Sequence, residues 1–200
     1  SNVDSQEHKD HALKVARQSV VLLKNENNVL PVQPSKVKKI AVVGPNADDA
    51  QMMLGNYNGT PSHTVTILEG IKAAYPGVEV TYNRGCDLVE GYVYVDPRLQ
   101  RGFTAQGYEG LSEEQMEQIR KMEAERQARL AAAPKPIPSE NYTPEALAEF
   151  ASKTAEGADV IFFVGGLAPT IEGEEMRVTI DGFKGGDRER IELPEVQGKM

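Results

Sequence analysis

Lys38-Lys39-Ile40-Ala41-Val42-Val43-Gly44-Pro45 sets four consecutive apolar residues between a basic pair and a Gly-Pro stop. A strand that is apolar at every position, rather than at alternate ones, is buried on both faces. That is the signature of a parallel sheet covered by helices. Downstream, Asn46 to Gln51 reads as a turn into a short helix, and Gly55-Asn56-Tyr57-Asn58-Gly59-Thr60-Pro61-Ser62 as a loop of residues that tolerate unusual backbone angles. Thr66 to Tyr75 carries helical spacing through Ile67, Leu68, Ile71 and Ala74 and is stopped by Pro76-Gly77. Val78-Glu79-Val80-Thr81-Tyr82 is a second, alternating strand. Strand, helix, strand at this spacing is the right-handed crossover unit of an α/β sheet.

Upstream, Ala12, Val15, Ala16, Ser19, Leu22 and Leu23 predict a helix from about Asp10 to Lys24 with one face that can pack. Asn25-Glu26-Asn27-Asn28 breaks it, and Val29-Leu30-Pro31-Val32 reads as extended. Further on, Ser112 to Ala132 has a cap, two early acids and i,i+4 pairs such as Glu117–Lys121, but only a thin apolar stripe. Ala133 to Pro138 is a proline-stiffened linker. Thr143-Pro144-Glu145 starts another helix that runs to about Glu156 and closes at Gly157. Residues 160–164 are a third buried strand, and Leu193-Pro194-Glu195 reads as the start of a helix.

Bulk composition narrows the function classes. The chain has 200 residues, enough for one large domain with a sizeable core. Its net charge of -8 argues against nucleic acid or an anionic membrane as the main partner, and no window approaches the ~20 apolar residues of a membrane span. Cys86 is the single cysteine, which rules out an internal disulfide and a cysteine-based metal cluster; it reads as a small packed residue. His8, His11 and His63 lack metal-like spacing, so surface or helix-end roles are expected, and no metal or cofactor is implied.

The chemistry-bearing stretch is Ile171-Glu172-Gly173-Glu174-Glu175-Met176, which follows Val160-Ile161-Phe162-Phe163-Val164-Gly165-Gly166. Three carboxylates crowd into four residues beyond the carboxyl end of a strand, where parallel sheets place their ligand sites. Like charges held that close raise the proton affinity of one of them, as a general acid needs. The plain alternative is a solvated acidic loop. Asn56 and Tyr57 are candidate substrate contacts, because an amide and an aromatic face suit a ligand with both polar groups and apolar faces; an ordered surface loop is the alternative. Asp187-Arg188 could position substrate or the acidic loop; the plainer reading is a structural ion pair or a turn-fixing pair.

The ordered set of motifs resembles the C-terminal α/β-sandwich domain of glycoside hydrolase family 3, the β-glucosidases and β-xylosidases. The matching pieces are Ala16-Arg17-Gln18-Ser19-Val20-Val21-Leu22-Leu23-Lys24-Asn25 with Leu30-Pro31, Ile40 to Pro45, Gly55 to Gly59, Thr66 to Gly70, and Ala158-Asp159-Val160. Glu172-Gly173-Glu174 leading to Gly186-Asp187-Arg188 and Ile191-Glu192-Leu193-Pro194 completes the set. The resemblance implies a mostly parallel, three-layer, flavodoxin-like sheet, with residues 1–200 forming the N-terminal portion of the domain and an insertion at about 96–141. It implies a retaining enzyme whose nucleophilic aspartate lies on a preceding TIM-barrel domain of the same polypeptide, absent from this chain. The general acid/base then comes from the acidic loop: Glu174 matches best, as the glutamate set before a Gly-Asp-Arg element, with Glu172 the runner-up. An oligosaccharide or glycoside is the implied substrate, a bacterial periplasmic or secreted location the implied compartment, and a catalytically dead isolated chain the corollary. A stand-alone flavodoxin-like binding module is the rival reading.

Overall fold

The computed structural model describes residues 5–55, 59, 61, 63–90, 112, 113, 117, 120, 121, 143–173, 178 and 180–200. Among these, the central element is β1 (Lys39–Val43), flanked in parallel by β2 (Glu79–Asn83) and β3 (Val160–Phe163) in the order β2-β1-β3. Ile40 stands level with Val80 on one side and Val160 on the other, so the register is shared across the three strands. The apolar run Ile40 to Val43 is buried throughout, as its composition predicts.

Strand alternation divides the core. Ile40 and Val42 point to one face with Val80, Tyr82, Val160 and Phe162, and are covered there by Leu68 and Ile71 of α2 (Ile67–Ala74). Full burial of side chains of this size contributes about 1.5–3 kcal/mol each. Ala41, Val43, Thr81, Ile161 and Phe163 share the opposite face by register. There α3 (Pro144–Ala155) seats the buried Leu147 and Ala151, and the Thr81 hydroxyl donates to the Thr154 carbonyl at 3.0 Å. The helices lie on opposite faces, as right-handed crossovers running in opposite directions require.

Caps explain where these helices begin. The Thr66 hydroxyl accepts from Glu69 N–H while the Glu69 carboxylate accepts from Thr66 N–H, closing a capping box on α2. Thr143 caps α3 through Ala146 N–H at 3.2 Å. A two-stranded antiparallel hairpin, β4 (Phe183–Lys184) and β5 (Asp187–Arg188), and the short α4 (Glu195–Gly198) complete the described elements.

Four expectations need correction. The first helix, α1, spans Gln6–Ser19, capped by Ser5, and has no buried residue; Val20 to Leu23 lie beyond the helix and are exposed, Leu23 at 92%. Its apolar spacing therefore marks a face that stays exposed among the described residues rather than a packed one. The turn after β1 leads into a 3-10 helix only at Met52–Leu54. The third strand is half-buried, not buried: Ile161 and Phe163 are 55% and 40% exposed, because α3 covers β2 and β1 and stops short of β3. Glu113, Glu117, Arg120 and Lys121 are helical as expected, but the observed partner of Glu117 is Arg120 at 3.3 Å. The remainder of that helix, and nearly all of the insertion expected at 96–141, lie outside the described residues.

Candidate functional site

Two connections leave the sheet at the carboxyl ends of β1 and β3. The chain out of β1 leads to α2 on one face. The chain out of β3 leads to α4, which ends beside α3 on the other, where Met200 and Ala151 flank Gly85. The gap between β1 and β3 is thus a topological switch point, the place where open α/β sheets hold their ligands.

Asn46 bridges this gap. Its main-chain N–H donates to the Val164 carbonyl at 3.2 Å, and its Nδ2 donates to the Leu167 carbonyl at 3.1 Å. Its buried Oδ1 has no partner among the described residues. On the other flank, the buried Gln197 side chain reaches Gly166 and Leu88. Gly166 has φ +126°, a backbone conformation that glycine adopts at little cost.

The acidic loop grows from this root. The Ala168 carbonyl accepts from Ile171 N–H at 3.0 Å and from Glu172 N–H at 3.1 Å, turning the chain sharply. Gly173 N–H then donates to the Gly186 carbonyl at 3.1 Å, so the two ends of the loop are clasped. Beneath the clasp lies an apolar cluster of Leu88, Val89, Ala168, Ile171 and Phe183, with Leu167, Val178 and Ile180 against it. Met52 packs against the same cluster, which seats the approach to the Asn56 loop and the root of the acidic loop on a common base.

Arg188 locks the far side of the loop. Its guanidinium donates to the Gly182 carbonyl at 3.2 Å and the Glu192 carbonyl at 3.0 Å, and lies 4.9 Å from the centre of the Phe183 ring. Among the roles open to Asp187-Arg188, these bonds give Arg188 the turn-fixing one. The proximity of Asp187 and Gly186 to the clasp follows from the β4–β5 hairpin, in which Lys184 pairs with Asp187.

Of the site residues read from the sequence, Glu172 is placed at the root, half-buried between Ile171 and Gly173. Glu174, Asn56 and Tyr57 lie outside the described residues. Two polar residues went unnoticed in the sequence. Asn46 had a signal, since a polar residue directly after a fully buried strand must find partners. Gln197 had none, because its burial depends on how α4 docks.

A further carboxylate stands at the end of β2. Burial raises the proton affinity of Asp87, and the Arg84 guanidinium, 3.4 Å away, opposes that rise. The adjoining Cys86 thiol is pushed up to about 11, chiefly by burial. Both line a cavity of about 190 Å³ with Glu90, Ala148, Val196 and Met200.

The glycosyl hydrolase family 3 C-terminal domain pattern matches residues 20–200. The chain is 30% identical over 278 aligned positions to a xylan 1,4-β-xylosidase of Xylanibacter ruminicola, covering 93% of this chain and 32% of that protein. It is 38% identical over 99 positions to a periplasmic β-glucosidase of Salmonella typhimurium, covering 48% of this chain and 13% of the relative. The structure is similar to that of a β-glucosidase from Erythrobacter marinus with a TM-score of 0.62 and 31% identity, over 98% of this chain and 22% of that one. The chain thus spans about a third or less of the length of each.

Proposed function

The chain belongs to glycoside hydrolase family 3, and from that premise we propose that it carries the general acid/base of a retaining β-glycosidase of β-xylosidase or β-glucosidase type. The observation that carries the reading is the clasped acidic loop at the switch point of a parallel sheet. Its ends are fixed by the Gly173–Gly186 hydrogen bond and by the cluster around Ile171 and Phe183. A carboxyl group that must protonate a departing oxygen has to be held on such a base, since small displacements from the productive geometry are costly.

Glu174 is the acid/base. It protonates the glycosidic oxygen as the bond to the sugar breaks, then takes a proton from the water that releases the covalent intermediate. Glu172, whose main chain is tied to Ala168, is the runner-up. Asn56 and Tyr57 contact the sugar; Met52, four residues before Asn56, packs on the same apolar base. The nucleophilic aspartate comes from a TIM-barrel domain of the same polypeptide. Residues 1–200 are the N-terminal portion of the second domain, interrupted by an insertion at about 96–141. The substrate is a xylo- or gluco-configured glycoside. The similarity to a periplasmic β-glucosidase supports a periplasmic or secreted location.

The test uses the full-length enzyme. Glu174→Gln should lower turnover of an unactivated aryl glycoside by about 10²–10⁴-fold, the usual contribution of a positioned acid/base. Glu174→Ala should be rescued by azide on an activated substrate, giving a glycosyl azide. Wild-type turnover in Glu174→Gln, with the loss appearing in Glu172→Gln instead, would transfer the role to Glu172; wild-type turnover in both would remove the role from this loop.

A further inference from the structure

We propose that Gln197 is a positioning residue for the general acid, holding the root of the acidic loop through the Gly166 peptide groups; this rests on the acid/base reading above. The side chain is 3% exposed. Its Oε1 accepts from Gly166 N–H at 2.8 Å, and its Nε2 donates to the Gly166 carbonyl and the Leu88 carbonyl, each at 2.7 Å. Gly166 lies just past the end of β3, where no described strand pairs with it. The carboxamide stands in for that missing strand, giving one donor and one acceptor to the same residue. A buried main-chain N–H and C=O require such partners.

The third bond couples the grip to the base of the loop, because Leu88 belongs to the apolar cluster with Ile171 and Phe183. From the opposite side Asn46 holds the next carbonyl, that of Leu167. One residue further on, the Ala168 carbonyl receives the N–H groups of Ile171 and Glu172. The path from sheet to acidic loop is therefore held at Val164, Gly166, Leu167 and Ala168, and Gln197 provides the hold at Gly166.

The chemistry at position 197 is specific. Gly166 offers one N–H and one C=O, and Leu88 a second C=O, so the side chain must both accept and donate. The same requirement fixes the amide orientation. A methionine keeps the length and supplies neither. An ionised glutamate accepts from Gly166 N–H but turns its other oxygen toward two carbonyls, and only its protonated form restores a donor. Space is equally constrained: a Cβ at Gly165 would stand 2.7 Å from Oε1.

The experiment compares Gln197→Met, Gln197→Glu and Glu174→Gln with wild type in the full-length enzyme. It measures kcat/KM for the phenyl and 2,4-dinitrophenyl glycosides of the preferred sugar across pH, with thermal unfolding alongside. Phenol needs protonation to leave and dinitrophenol does not. Both Gln197 variants should lose on the order of 10–100-fold on the phenyl glycoside and only a few-fold on the dinitrophenyl one, as expected for a misplaced acid. Relative to wild type, Gln197→Glu should recover as pH falls and its buried carboxyl takes up a proton, whereas Gln197→Met should not. Equal losses on both substrates, or none, overturn the proposal, and a leaving-group split in Glu174→Gln alone leaves the acid assignment standing. No split in Glu174→Gln removes that assignment and the positioning role with it. Should Gln197→Met not fold, the pH recovery of Gln197→Glu decides: its absence overturns the proposal.

Discussion

Asp159 ends the connection from α3 and immediately precedes β3, and one of its carboxylate oxygens accepts from both Lys38 N–H at 2.7 Å and Lys39 N–H at 3.0 Å. These two donors hold its carboxyl below the usual value of 3.8. A carboxylate that is more acidic when folded stabilises the fold above its unfolded pKa, and the contribution is lost as pH falls through the lowered folded value. Asp159→Asn should therefore unfold at lower temperature than wild type at neutral pH, and the gap should close as pH drops below about 4. A gap that stays constant with pH would show that the charge is not what matters. This residue's work was not legible in advance, since its partners lie 121 and 120 positions away. Cys86 was readable, because an isolated cysteine in an ordinary soluble composition is most often packed. Glu172 was readable as part of an acidic stretch at a strand end. That it turns on the Ala168 carbonyl was not.

At the level of elements, local signals worked where local chemistry decides. The Thr143 cap and the glycine that closes α3 were visible as residue types in order, whereas Thr66 was visible only as the start of a helical spacing. The parallel sheet was visible in Ile40 to Val43 because burial on both faces leaves no room for polar alternation. Boundaries failed where the outcome depends on a neighbour. The apolar positions of α1 have the spacing of a packed face but are not buried among the described residues, and β3 is half-exposed where α3 packs mainly on β2 and β1. The acidic loop lies between these cases: its composition was legible, its apolar base was not, since Leu88, Met52 and Phe183 come from distant segments. Ile171 is the keystone of that base, at 1% exposure. Ile171→Ala should cost about 2–5 kcal/mol in urea unfolding, by lost transfer energy and the cavity left behind. A loss below ~1 kcal/mol would mean that the cluster collapses around the deletion and that the loop is held mainly by its hydrogen bonds.

At the scale of the whole molecule, the acidic loop sets a limit on what this chain can do by itself. A retaining glycosidase needs two carboxyl groups ~5–5.5 Å apart, on opposite sides of the sugar's anomeric carbon. The two ends of the loop are tied together through the Gly173–Gly186 bond, and we expect one such loop to supply one of the two carboxyl groups and not both. Asp87 does not supply the second group, being tied to Arg84 at the end of β2. The chain meanwhile exposes apolar surface along Val20 to Leu23 and at Ile161 and Phe163, which is the kind of surface that a neighbouring domain covers. The 200-residue chain, purified alone, should therefore show no hydrolysis of an aryl β-xyloside or β-glucoside above the buffer rate. Adding the barrel domain in trans is the informative comparison. Turnover that appears only in the mixture, and that disappears when Glu174→Gln replaces the wild-type chain, would place the two carboxylates on separate domains. Hydrolysis by the isolated chain would mean instead that both reside within these residues, and the division of labour proposed for them would be wrong.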